Sequence, residues 1–209
     1  MAVHYGPSSN TVYTFNDATY YIAIDEGTSG FGGTLYGNAT KESGYVSLTT
    51  NVNSQNGQLE YTGIYSGNRT YATFDSYTGG YSGVGADAIW YWWGATTRPS
   101  GEDSNSGGYL YAIDEYQDQL QLNWAQYRLE NFSQTTIDDA TWHSWIIEWK
   151  SNTIKVWRDG SLKFTEVDSA RTIADPSSIG FGGRTGGYNN HHRVRNMKFY
   201  VSTDNGSGY

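Results

Sequence analysis

Trp142-His143-Ser144-Trp145-Ile146-Ile147-Glu148-Trp149-Lys150 runs on through Ser151-Asn152-Thr153-Ile154-Lys155-Val156-Trp157-Arg158-Asp159-Gly160-Ser161-Leu162-Lys163-Phe164-Thr165, and this stretch decides the class of fold. Trp145, Ile147 and Trp149 recur at every second residue, which places them on one face of a strand. Ile154 and Val156 carry the alternation into a second strand, Leu162 and Phe164 into a third. Asp159-Gly160 reads as the hairpin turn between the last two, because both central positions of such a turn take positive φ. Ile146 and Trp157 fall on the opposite face, so these strands are covered, wholly or partly, on both sides.

The same strand-and-turn reading extends in both directions. Tyr13-Thr14-Phe15, Tyr20-Tyr21-Ile22-Ala23-Ile24 and Tyr45-Val46-Ser47-Leu48-Thr49 read as early strands. Leu59 to Tyr65 and Thr70 to Tyr77 alternate cleanly. Gly30-Phe31-Gly32-Gly33 and Asn56-Gly57 read as turns. No long helical pattern, internal repeat or break in composition divides the chain. Many short strands with Gly-rich turns predict an all-β fold, a two-sheet antiparallel β-sandwich or jelly roll. At 209 residues the expectation is one domain over 1–209, with terminal tails at about 1–10 and 203–209.

Composition narrows the partners. The formal net charge is -8, and the one basic cluster, His191-His192-Arg193-Val194-Arg195, is short and interrupted. Nucleic-acid binding draws on a basic face, so nucleic acid is not an expected partner. No apolar run is long enough to cross a bilayer, so membrane insertion is not expected either. Without cysteine, disulfides and thiolate metal sites are excluded. Charged residues are only 16 %, against 19 Tyr, 8 Trp and 26 Gly, so the surface is finished by Ser, Thr, Asn, Gly and Tyr. Rings with polar tips beside amides and carboxylates suit saccharides, although most of the tyrosines read simply as half-buried strand residues.

Four segments carry a family resemblance. Gly85-Ala86-Asp87-Ala88-Ile89-Trp90-Tyr91-Trp92-Trp93 comes first, then Ser106-Gly107-Gly108-Tyr109-Leu110, then Ile113-Asp114-Glu115-Tyr116-Gln117-Asp118. The last runs from Ile179-Gly180-Phe181-Gly182-Gly183-Arg184-Thr185-Gly186-Gly187 into His192-Arg193-Val194-Arg195-Asn196-Met197-Lys198-Phe199. In this order they resemble the L-type lectin and concanavalin A-like family, over roughly residues 30–202. The resemblance implies a concanavalin A-like jelly roll with a glycan or polysaccharide as partner. It makes Ala86–Asp87 a candidate cis peptide and Asp87 the acceptor of sugar hydroxyl protons. Gly107, Gly108 and Tyr109 correspond to the family's double-glycine loop, with Gly108 offering its N–H. Asp118 stands where the family has an amide at the sugar. Thr185, Gly186, Gly187, Tyr188, Asn189 and Asn190 form the selectivity loop, with Arg184 ahead of it among the sugar-binding residues.

The third segment is also similar to the family's calcium strand, with Asp114, the Tyr116 carbonyl and Asp118 as metal ligands. Two departures matter. Ala112 stands where plant members carry a transition-metal ligand, so no transition metal is expected. The long calcium loop is missing, since Leu120-Gln121-Leu122-Asn123-Trp124 resumes a strand at once. Calcium takes six to eight oxygens. A bound calcium and a plain solvated turn are both left open.

Enzymes share this architecture. Glycoside hydrolysis requires two carboxyls at a set separation. Asp114 and Asp118 share a face, but Tyr116 lies between them and Glu115 points the other way, so a strand-borne carboxylate triad is not met. Asp75 with Glu148 is another candidate pair, and His143, His191, His192 and Arg184 could serve a lyase. His191-His192 with His143 fits no zinc spacing, because paired residues on a strand face opposite ways. The reading is a non-catalytic, lectin-like module on an extracellular, cell or virion surface, gaining avidity from several copies in a larger parent protein. A hydrolase or lyase on the same fold, and a structural or adhesion module, are the alternatives.

Overall fold

The computed structural model describes residues 12–15, 18–26, 32–64, 69–80, 85–104, 107–124, 127–133, 137–150, 152–171 and 177–202. The expected tails, Gly30-Phe31 and Ser106 lie outside the described residues. All the described strands belong to two antiparallel sheets, as the alternation predicts. The front sheet runs β11 (Tyr127–Ser133), β10 (Gln119–Trp124), β9 (Tyr109–Asp114), β8 (Ala88–Ala95), β15 (Ser177–Arg184), β6 (Asn56–Ile64), β3 (Thr34–Gly37). The back sheet runs β1 (Val12–Phe15), β2 (Ala18–Glu26), β16 (His191–Ser202), β7 (Arg69–Gly79), β12 (Thr141–Lys150), β13 (Thr153–Arg158), β14 (Ser161–Val167). Beside β2, β16 also pairs with β5 (Tyr45–Thr49), which carries β4 (Thr40–Glu42) at its edge. One strand serves both neighbours because Asn196 takes φ 54° where the register breaks, handing β16 from β5 to β2.

Among the described residues the Trp142–Thr165 stretch folds as read except at Leu162. A register shift between Val156 and Trp157 sets Leu162 opposite Trp157 and leaves it 53 % exposed, instead of beside Phe164 in the core. β12 pairs β13, and β13 pairs β14 through Asp159-Gly160, whose φ values are 50° and 76°. Trp145, Ile147, Trp149, Ile154, Val156 and Phe164 are buried in the core between the sheets, while Ile146 and Trp157 are half-buried on the outer face. The core is aromatic at its centre. Tyr91, Trp93 and Tyr109 stack in a column, at 5.4 and 5.1 Å between centroids, and Phe74 meets Phe181 edge-on at 4.9 Å. Each such pair adds about 0.5–1.5 kcal/mol beyond its burial. This rigid stack holds the loops at the sheet ends in fixed relation.

Asn56-Gly57 is not a turn. It opens β6, with Gly57 paired to both Gly37 and Gly183. The glycine serves close approach instead, since a Cβ there would lie 1.8 Å from the Leu48 carbonyl oxygen. A second apolar cluster, Ala88, Trp90, Trp92, Ala95, Leu110 and Ala112, lies on the side of the front sheet away from the main core.

Candidate functional site

The start of β8, the end of β15 and the turn joining β9 to β10 meet at one rim of the front sheet. Ala88 pairs with both Asp114 and Arg184 there. Asp87 immediately precedes β8, and the Ala86–Asp87 peptide is cis, as the resemblance implies. The Asp87 N–H donates to the Arg184 carbonyl at 2.8 Å, and the Asp87 carbonyl accepts from the Glu115 N–H at 3.0 Å. Its backbone is thereby bolted to two neighbours, and its carboxylate stands at the rim in a fixed place.

The carboxylate is half committed. Its Oδ2 accepts from Arg184 Nε at 3.0 Å, while Arg184 Nη2 donates to Glu102 Oε1 at 2.7 Å. One guanidinium therefore bridges two carboxylates. Asp87 Oδ1 takes no hydrogen bond from the described residues and faces Gly186, where a Cβ would stand 2.8 Å from it. Burial pushes the Glu102 carboxyl above its ordinary 4.5, with Arg184 opposing. A raised carboxyl favours the fold most while protonated, so its contribution is full below pH 4.5 and is lost as pH rises through the raised value. Glu102→Gln is expected to flatten that part of the stability profile, read as denaturation midpoints at pH 4 and pH 7.

Two exposed rings stand on the loops that flank Asp87, the Tyr116 N–H lying 3.4 Å from the Asp87 carbonyl. Tyr116, in the turn after β9, and Tyr188, in the loop after β15, are 59 % and 47 % exposed. They stack at 6.5 Å between centroids with 27° between planes. Large rings left in water beside a carboxylate form a surface for the C–H face of a sugar.

The loop at 185–190 is held from beneath. Thr185 donates its hydroxyl to the Val52 carbonyl at 2.7 Å and accepts from the Gln55 N–H at 2.9 Å. The Ser54 N–H donates to the Gly186 carbonyl and Asn53 Nδ2 to the Gly187 carbonyl. Asn189 Nδ2 donates to Asn53 Oδ1. Deeper still, Glu115 Oε2 accepts from Asn190 Nδ2 at 2.6 Å, and Glu115 Oε1 meets His192 Nε2 at 2.7 Å. His192 Nδ1 lies 2.7 Å from the Thr49 hydroxyl. Glu115, Asn190, His192 and Thr49 are each 0 or 1 % exposed. This buried chain ties both rim loops to the back sheet.

The structure brings Asp87, Arg184, Gly186, Gly187, Tyr188 and Asn189 together. Thr185 is with them but 2 % exposed, its hydroxyl spent on the brace, so it positions the loop instead of touching a ligand. Gly107, Gly108 and Tyr109 are not at this rim. Tyr109 pairs with Trp93 while Asp114 pairs with Ala88, which puts Tyr109 five residues along the ladder, about 17 Å away, and the double glycine just beyond it. Gly108 is pressed against Trp93 and Ala95, and Tyr109 is buried beneath Trp93 and Trp124 with its hydroxyl on Asp168. Gly108 and Tyr109 are buried at the far end of the strands, with half-buried Gly107 just before them.

The metal ligands expected from the resemblance, Asp114, Tyr116 and Asp118, stand close in sequence but supply few free oxygens. Asp114 Oδ1 accepts from the Gln117 N–H at 3.0 Å, and its Oδ2 from Gln121 Nε2 at 2.6 Å. Asp118 is exposed at φ 52°. No three His, Cys, Asp or Glu side chains gather as a metal site among the described residues. Asp114, the Tyr116 carbonyl and Asp118 offer part of the six to eight oxygens calcium takes, and both Asp114 oxygens already accept a protein hydrogen bond. The candidate catalytic pair Asp75 with Glu148 is apart. Asp75 opposes Ser144 on the outer back sheet and bonds Arg195, and Glu148 lies four residues further along, about 13 Å.

Sequence reasoning missed the ring of Tyr116, valued only for its carbonyl. The available signal was an aromatic set among Asp114, Glu115, Gln117 and Asp118, where nothing apolar could bury it. Glu102 and Asn53 carried no such signal.

No family model and no curated protein matches the sequence. Solved structures match the fold. The exoplasmic/lumenal domain of VIP36, in its Ca2+/Man3GlcNAc-bound form, has TM-score 0.72 at 15 % identity, over 82 % of this chain and 85 % of that one. The carbohydrate recognition domain of Emp47p has TM-score 0.67 at 15 % identity, over 82 % and 89 %. The lectin from Bauhinia forficata in complex with GalNAc has 0.69 at 14 % identity, over 87 % and 98 %. The VIP36 domain has also been solved metal-free, at TM-score 0.71. The chain has the concanavalin A-like, L-type lectin fold.

Proposed function

We propose that this chain is a glycan-binding module whose sugar sits at the Asp87 rim. One observation carries the reading. A backbone-fixed carboxylate with a free Oδ1 stands beside a bare glycine and a pair of exposed tyrosines. Asp87 Oδ1 accepts from sugar hydroxyls, the peptide groups of Gly186 and Gly187 meet the ligand without a Cβ between, and Tyr116 with Tyr188 packs on its C–H face. Asn189 and Arg184 edge the site. Fold neighbours solved with Man3GlcNAc and with GalNAc support this class of ligand. Affinity for one sugar is weak, because each hydroxyl bond replaces a good one to water, and several copies give avidity. The lumenal and exoplasmic origin of the VIP36 domain supports a place outside the cytoplasm. Beyond that, we propose a cell or virion surface, with adhesion as the use.

A glycan array followed by calorimetric titration of the best binder tests this. Wild type binds, and Asp87→Asn loses at least tenfold in affinity, since one charged acceptor contributes about 1.5–3 kcal/mol. An array silent for wild type, or an Asp87→Asn variant that binds as well, ends the reading. The same titration in EDTA is expected to give unchanged affinity, because Asp114 is already bonded to protein donors. Loss on chelation, restored by calcium, would show that those donors yield to a metal.

A further inference from the structure

A cleft of about 300 Å³ opens beside this rim, lined by Tyr36, Gly37, Asn56, Gln58, Arg98 and Ser100 among others. It lies in line with the site already described. Arg184 pairs with Ala88 on one side and with Asn56 on the other, so two strand spacings, about 10 Å, separate the residue after Asp87 from the cleft wall. A short oligosaccharide bridges that distance. The wall is preformed, since Asn56 Nδ2 donates to the Ser100 carbonyl at 2.9 Å and Gln58 Nε2 to the Pro99 carbonyl at 2.5 Å. These bonds pin the segment after β8 onto β6.

Arg98 gives the cleft its chemistry. Its guanidinium carbon stands 3.5 Å from the centroid of the Tyr36 ring. Stacking uses the flat face and leaves the N–H edges free, and those edges fit a planar carboxylate or a sulfate. No carboxylate of the described residues pairs with Arg98, although the chain carries a net charge of -8. Arg184, by contrast, has Asp87 and Glu102 beside it.

We propose that the cleft is a second subsite, taking the anionic residue of an acidic oligosaccharide whose neutral residue sits at Asp87. Resting on the glycan-binding reading, it adds the ligand class: glycans bearing a carboxylate or sulfate ester. Arg98 forms a charge-assisted pair with that group, the Tyr36 ring holds the guanidinium in place, and Asn56 and Ser100 meet neighbouring hydroxyls.

The test is an array printed with matched neutral, sialylated, uronic-acid and sulfated versions of the same backbones, probed with wild type, Arg98→Gln and Asp87→Asn. Wild type is expected to favour the acidic versions about tenfold at low salt, less as salt rises. Arg98→Gln brings acidic signals down to the neutral level, and Asp87→Asn lowers all signals. A preference for carboxylate alone, sulfate alone or both supports the subsite and identifies the group. Equal binding of neutral and acidic versions by wild type, or a preference that survives Arg98→Gln, overturns the subsite and leaves the Asp87 reading standing. Silence of wild type on every glycan overturns both.

Discussion

Glu115→Ala is expected to lower the unfolding free energy by about 3–5 kcal/mol, the range for breaking a buried, hydrogen-bonded charged group. Glu115 receives Asn190 Nδ2 on one oxygen and meets His192 Nε2 on the other, all at 0 or 1 % exposure. Alanine removes the carboxylate that both partners share and leaves a cavity in its place. The stranded amide and imidazole lose their bonds without gaining water, which is why the cost exceeds that of a surface change. Glu115→Gln keeps the volume and one acceptor but turns an N–H toward another donor, so about 1–2 kcal/mol is expected. Urea denaturation followed by tryptophan fluorescence reads both. A loss under 1 kcal/mol for the alanine variant would mean that the chain is not a structural tie.

Gly186→Val is expected to abolish glycan binding while leaving the fold nearly as stable as before. The new Cβ would stand 2.8 and 2.9 Å from the two carboxylate oxygens of Asp87. No pair of atoms of this kind tolerates that distance, so the carboxylate must swing away. The swing breaks the bond from Arg184 Nε and removes the free Oδ1 together. Because the displaced group is the end of a half-exposed side chain at the rim, the core does not feel it. Loss of array signal with a denaturation midpoint close to wild type is the expected pair of results. Retained binding would show that Asp87 is not the acceptor, whereas a large drop in midpoint would make Gly186 a folding residue.

How much of this was legible depends on how far along the chain each partner lies. Trp145, Ile147 and Trp149 declare a strand by local alternation, and Asp159-Gly160 declares its turn, so the β class follows from neighbours in sequence. Asp87, Arg184 and the Gly186–Asn189 loop were found through motif order. The double glycine shows the limit of that approach. Its local composition resembles a binding loop, yet the antiparallel register of β8 with β9 sends it to the opposite end of the sheet from Asp87. Thr185 fails differently. Its hydroxyl is claimed by Val52 and Gln55, some 130 residues earlier, and no window of sequence reports that. Glu115 was read correctly as facing away from Asp114, but what awaited it there, His192 and Asn190, is a long-range fact.

Amide chemical-shift mapping during titration with an array-selected glycan addresses the Asp87 rim most directly. The largest shifts are expected at Asp87, Tyr116 and Gly186 to Asn189, with Tyr36 and Arg98 joining them for an acidic ligand. Shifts gathered instead at Gly107 to Tyr109, or on the outer back sheet around Trp142 and Arg195, would place the sugar elsewhere and contradict the account.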